Sequence, residues 1–247
     1  MKFAYVPNVL DALLDQGHNL PTFNRPGSMR IYAIGDIHGS LDKPRSLLAR
    51  CEHDAAGAPM RLVFIGDYID RGPDSRGVIE HVMALQERLA DSVVALMGNH
   101  EAMVLAIIDE TMSAGLWLAE GGAATLRSYG VVRARALPHA HVTWLRSLRM
   151  SYDDGRRLFV HAGVNPGKPL DAQDDDDLLW IREPFLSDAR DYGRLIVHGH
   201  TPTRTGEPDL RTNRVNIDTG AVYGRALTAA VFDEDETRPR AFLQASA

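Results

Sequence analysis

The sequence predicts an α/β fold, and three observations predict it. Short apolar runs bounded by glycine recur five times, and each leads into a turn carrying Asp, Asn or His. Amphipathic helical patterns separate the first three runs, which implies parallel strand–helix–strand units. Beyond His200 the pattern becomes β-like again over Arg214 to Ile217, Ala226 to Phe232 and Arg240 to Leu243, which predicts a second sheet packed behind the first.

Each element follows in order. Val9 to Asp15 reads as a short helix closed near Gly17, inside an N-terminal extension of residues 1–29. Ile31 to Ile34 is a buried strand that enters Gly35-Asp36-Ile37-His38-Gly39. Leu62 to Ile65 enters Gly66-Asp67-Tyr68-Ile69-Asp70-Arg71-Gly72. Ser75 to Leu89 is the clearest helix, with Val78, Ile79, Val82, Met83 and Leu89 on one side and Asp74 or Ser75 as N-cap. Val93 to Met97 enters Gly98-Asn99-His100-Glu101, and Glu101 to Leu148 reads as mainly helical, broken at Gly115, Gly121-Gly122 and Gly130. Leu158 to Val160 enters His161-Ala162-Gly163, and Leu195 to Val197 enters His198-Gly199-His200-Thr201. No linker divides the chain, so residues 30–247 are expected to form a single domain.

Composition narrows the function classes. The 247 residues are 45% hydrophobic and 24% charged, as in an ordinary globular protein. The longest apolar run, Ala102 to Ile108, is far short of the roughly 20 residues that cross a bilayer, and the N-terminus lacks the uncharged core of a secretion signal. A cytoplasmic protein without a membrane partner is expected. Net charge is −6, which argues against nucleic-acid backbones as partners. The lone Cys51 excludes an intrachain disulfide and a multi-cysteine zinc site, and reads as a packed thiol.

In parallel sheets the functional loops follow the carboxyl ends of the strands. The five turns therefore predict one rim where Asp36, His38, Asp67, Asn99, His161 and His200 meet. Two carboxylates, three imidazoles and one amide, with no thiolate, suit Mn, Fe or Zn. Six donors exceed what one catalytic ion can use while keeping open positions. They fit two divalent ions sharing one carboxylate, and Asp67 is the central candidate for that bridge.

GDIHG (35–39), GDYIDRG (66–72), GNHE (98–101), HAG (161–163) and HGHT (198–201) closely resemble the phosphoprotein phosphatase family of calcineurin-like metallophosphoesterases. The stretch from Phe159 to Leu186 further resembles its bacterial branch, including Rhizobiales-like phosphatases. The resemblance implies a sandwich of two mixed β-sheets flanked by helices, with a βαβαβ metal-binding core. It implies that Asp36, His38 and Asp67 bind one metal, manganese above all, and that Asp67, Asn99, His161 and His200 bind a second. His200 rather than His198 is the implied ligand. Arg71 and Arg182 would hold phosphate, assisted by Asn99, and His100, oriented by Asp70, would protonate the leaving oxygen. Tyr223 is a weaker candidate for the pocket wall.

The implied activity is phosphomonoester hydrolysis by direct attack of a metal-bridging hydroxide on phosphoserine, phosphothreonine or phosphotyrosine, with a phosphorylated protein or peptide as partner. The alternative is a dinucleoside-polyphosphate hydrolase of the diadenosine tetraphosphatase type, whose members typically carry Ala at the position of Asp70. A third reading is an inactive binding scaffold. Asp174 to Asp177 reads as a solvated acidic turn, and Trp117, Trp144 and Trp180 read as core, Trp180 least firmly because Arg182 lies two residues on.

Overall fold

The computed structural model describes residues 28–246, so the helix expected at Val9 to Asp15 lies outside the described residues. Two five-stranded sheets face each other. The first runs β10 (Ala241–Ala245), β9 (Leu227–Asp233), β1 (Arg30–Ile34), β2 (Met60–Phe64), β3 (Val93–Ala95). The second runs β4 (Ser151–Asp153), β5 (Arg157–Val160), β6 (Leu195–His198), β8 (Arg214–Asn216), β7 (Asp209–Leu210). Both are mixed: β1–β2–β3 and β5–β6–β8 are parallel, whereas β9 and β10, β4 and β7 join antiparallel.

Side-chain alternation makes the layers. Ile31, Ala33, Val63 and Ile65 face the second sheet and meet Phe159, Val197, Val215 and Phe232 in the sandwich core. Tyr32, Ile34, Leu62 and Phe64 point the other way, onto helices α1 (Asp42–Ala55) and α2 (Ser75–Leu89). Leu158, Val160 and Ile196 bury against Val164, Leu178 and Phe185 on the outer face of the second sheet.

The parallel crossovers occur as expected, and so does the second sheet. Its membership differs: β9 and β10 extend the first sheet, while β5 and β6 belong to the second. Helix α2 has the expected bounds, with the Asp74 carboxylate accepting from Gly77 N at 2.8 Å as N-cap; Leu85 joins Val78, Ile79 and Val82 among its buried residues, while Met83 and Leu89 are partly buried. The stretch after Glu101 is helical in pieces: α3 (Asn99–Ile108), α4 (Ala114–Trp117), α5 (Ala123–Tyr129) and α6 (His139–Arg146). Gly115 lies inside α4, so the interruption falls earlier, between Ile108 and Ala114, whereas Gly121 and Gly130 do break the helix with positive φ. Cys51 is buried, and burial pushes its thiol up to about 12. No described helix is long and apolar enough to cross a membrane.

Candidate metal centre

Four of the five turns leave the carboxyl ends of β1, β2, β5 and β6, and the remaining one, after β3, opens α3 at Asn99. They converge because glycines let the loops touch. A Cβ on Gly98 would overlap Asp67, and one on Gly199 would overlap the Asp36 carboxylate. Among the described residues, eight non-glycine residues adopt positive φ, and five of them are His38, Asp67, Asp70, Arg71 and His200. Such strain persists only where surrounding structure over-determines it, which marks this rim as a site.

The six donor residues form one buried cluster. Asp67 Oδ2 lies 3.2 Å from His38 Nε2, and its Oδ1 lies 3.5 Å from His161 Nε2. Asn99 Oδ1 is 2.8 Å from His161 Nε2 and 3.0 Å from His200 Nδ1. Asp36 accepts the backbone N–H of His200 at 3.1 Å. Two trios have ligand atoms all within 4.8 Å of one another: His38, Asp67, His100 and Asp36, Asp67, His161. Asp67 belongs to both. Both trios draw on the implied ligands, with His100 standing beside His38 and Asp67.

The donors fit divalent ions. His38 and His161 each direct Nδ1 to a backbone carbonyl, of Ile69 at 2.8 Å and Ile65 at 2.9 Å, which leaves both Nε2 atoms facing Asp67. That tie fixes the ring orientation and tautomer of a metal-ligating histidine. Burial lowers the pKa of His161, and burial above all, with His161 beside it, brings His200 down to about 3, a shift toward the neutral imidazole that binds metal. Burial, then Asp218 and Asp67, push Asp36 well above the usual carboxylate range. Burial alone would raise Asp67 too, but His161, His100 and His38 together hold it well below. A cluster of buried carboxylates that repel one another calls for cations.

His198 takes no part. It is buried beside Phe185, with ring centroids 5.0 Å apart, and its Nε2 is 3.4 Å from Arg214. Arg71 and Arg182 both line a cavity of about 270 Å³ with Asp67, Asn99, Glu120, Trp180 and His200. Arg71 Nη1 reaches His38 Nε2 at 2.7 Å, and its Nη2 is 3.4 Å from Glu120. Tyr223 is exposed and does not line this cavity. Asp174, Asp175 and Asp176 are exposed, as a solvated acidic turn would be, while Asp174 and Asp177 pair with Lys168.

His100 Nδ1 is 2.7 Å from Asp70 Oδ2. The Asp70 carboxylate also accepts from Trp117 Nε1 at 2.7 Å and from Thr125 Oγ1 at 2.5 Å. Trp117 is thus core in packing yet polar in function, which its helical context in the sequence concealed. Glu101 was the larger omission. Its two oxygens accept from Asp67 N, Tyr68 N, Ile69 N and Gly98 N at 2.8 to 3.2 Å, holding the turn of the central carboxylate. Its place three residues past Gly98 was the available signal, since a Glu there normally caps its own helix.

The profile of the family described as calcineurin-like phosphoesterase matches residues 29–225. The asymmetrical bis(5'-nucleosyl)-tetraphosphatase PrpE of Geobacillus sp. (strain WCH70) is 30% identical over 85% of this chain and 93% of its own length. A crystal structure of a provisionally named diadenosine tetraphosphatase superposes with TM-score 0.67 at 23% identity, covering 90% of this chain and 95% of that one. The cold-active protein tyrosine phosphatase of a psychrophilic Shewanella sp. shares the fold at TM-score 0.57 and 17% identity, covering 89% and 82%. The narrower Rhizobiales-like placement gains no support from these relatives.

They overturn the expectation of a phosphorylated protein or peptide partner. Similarity in sequence runs along most of the chain to an enzyme named for a dinucleoside tetraphosphate, and the protein phosphatase is matched in fold alone. Asp70 is wholly buried, and its carboxylate is engaged by His100, Trp117 and Thr125. With its two-sheet sandwich, its five polar turns and a profile match over most of its length, the chain belongs to the calcineurin-like phosphoesterase family.

Proposed function

We propose that this protein is a metal-dependent hydrolase that cleaves dinucleoside tetraphosphates asymmetrically, with residues 30–247 as its catalytic domain. The observation that carries this reading is the near full-length similarity to a tetraphosphatase of that specificity. Asp36, His38, Asp67, Asn99, His161 and His200 would hold two divalent ions, for which manganese suits the mixed oxygen and imidazole set. When bound, such a pair supplies Lewis acidity toward water and toward a phosphoryl oxygen.

The chain's own side chains do the rest. Arg71 and Arg182 present guanidinium forks into one cavity, where paired donors match phosphate oxygens of a polyphosphate. Arg71 is oriented in advance by its contacts with His38 and Glu120, and both positive charges favour the negative charge that develops in transfer. Asp70 holds His100 through Nδ1, so the ring keeps one orientation at the edge of the cluster and can hold a proton for the departing phosphate oxygen.

The test is product analysis. With manganese and diadenosine tetraphosphate, the enzyme is expected to release ATP and AMP, a three-plus-one division of the four phosphates. Two molecules of ADP would refute the asymmetrical assignment, and no cleavage alongside rapid phosphopeptide hydrolysis would refute the substrate class.

Glu120 provides a second check on the same cavity. Its carboxylate stands 3.4 Å from Arg71 and competes with phosphate for that guanidinium. Because an exposed pair is worth about 0.2–1 kcal/mol, Glu120→Gln is expected to lower KM for diadenosine tetraphosphate by about 1.4- to fivefold with kcat nearly unchanged. A raised KM would show that Glu120 orients Arg71 instead of competing for it.

A further inference from the structure

Trp180 stands apart from the other two tryptophans. Trp117 and Trp144 are buried, whereas Trp180 is 40% exposed and lines the cavity that holds both arginines. Its ring meets the edge of His200 at a centroid distance of 6.2 Å and an interplanar angle of 83°. The other residues lining that cavity are all polar or charged: Asp67, Arg71, Asn99, Glu120, Arg182 and His200. A phosphate needs none of the apolar area that an indole offers there. The group that would use it is flat, aromatic and attached to a phosphate.

Neighbouring positions of the chain supply both kinds of contact. Helix α7 (Asp175–Trp180) ends at Trp180, and Ile181 is extended at φ −60° and ψ 140°. Arg182 follows two residues after Trp180, and both side chains line the cavity. A nucleotide carries its base and its 5'-phosphate on either side of a ribose, so one such group could meet the indole and a guanidinium together.

We infer that Trp180 is a stacking platform for one nucleobase of the dinucleotide, with the adjoining phosphates on Arg182 and Arg71. This rests on the dinucleoside tetraphosphate reading and deepens it. Stacking tolerates any base, because every base has a π-face, so Trp180 contributes affinity for a nucleoside end without choosing adenine over guanine. It also separates nucleotides from bare polyphosphates, which the arginines alone would bind.

The experiment compares wild type, Trp180→Ala and Trp180→Phe on diadenosine tetraphosphate, with inorganic tripolyphosphate as a base-free competitive inhibitor. Trp180→Ala is expected to raise KM for the dinucleotide about tenfold, equivalent to about 1.4 kcal/mol, with kcat within about twofold. Trp180→Phe, which keeps a flat ring, is expected to recover KM to within about threefold of wild type, and the tripolyphosphate inhibition constant is expected to stay the same in all three proteins. An unchanged KM in Trp180→Ala overturns the stacking role while leaving the proposed function intact. So does an equal rise in the tripolyphosphate constant, which would mean that the cavity itself had been disturbed. A wild type that does not cleave diadenosine tetraphosphate overturns both.

Discussion

Asp67→Asn is expected to empty the metal centre and to lower kcat/KM by about 10³-fold or more, beyond the 10- to 100-fold typical of losing an outer partner of a metal ligand. The reason lies in how the carboxylate divides its oxygens. Oδ2 faces His38 and Oδ1 faces His161, and Oδ1 also accepts the backbone N–H of His100 at 3.2 Å. Asparagine is the same shape, but one oxygen becomes an NH₂ donor and the charge is lost. Whichever way the amide turns, a donor faces one of the two imidazole edges that a cation would share. No other residue sits in both donor trios. Metal content of the purified variant and kcat/KM under manganese titration read the two effects separately. A variant with full metal content and wild-type turnover would remove Asp67 from the centre.

Glu101→Gln is expected to be costly for stability despite its isosteric side chain. Oε1 accepts from Tyr68 N and Ile69 N, and Oε2 accepts from Asp67 N and Gly98 N, all buried. Glutamine has one acceptor oxygen, so two backbone N–H groups would confront an NH₂. Each buried donor left unmet costs about 1–3 kcal/mol, which gives a loss of about 2–6 kcal/mol and a drop in Tm of roughly 5–15 °C. Glu101→Ala should fall further, since all four donors lose their acceptor. Thermal unfolding of both variants measures this. An unchanged Tm in Glu101→Gln would show that the turn of Asp67 holds itself in the left-handed region without this brace.

The parts of the fold that were legible in the sequence are those written in local chemistry. Ile31 to Ile34, Leu62 to Ile65 and Leu195 to Val197 announce strands because each is a β-rich apolar run that ends at a glycine or one residue short of it. Their turns announce a rim because Asp, Asn and His do not recur by accident after such runs. Sheet membership was not legible. Leu227–Asp233 shows its strand character but carries no mark of pairing with Arg30–Ile34 in place of Arg214–Asn216, because alternation specifies a face and not a neighbour. Glu101 hid for a related reason: three residues past Gly98 it reads as a helix cap, and only tertiary structure brings the Asp67 turn onto its second oxygen. Trp180 was ambiguous because a tryptophan beside apolar Leu178 and Leu179 looks like core until the helix is seen to end on it.

The place of β1 has a consequence for how the chain is made. β1 is flanked by β2 on one edge and by β9 on the other, so Ile31 pairs with both Arg61 and Phe232. During synthesis the first edge finds its neighbour after some thirty residues, and the second waits about two hundred residues for Leu227–Asp233. In that interval a nascent Arg-Ile-Tyr-Ala-Ile segment carries an open row of backbone donors and acceptors, the template on which strands of other chains add. Pairing across so long a separation is expected to slow folding. A ribosome stalled before Leu227 would leave behind a species prone to aggregate, with the turn bearing Asp36 and His38 still hanging from an unfinished sheet.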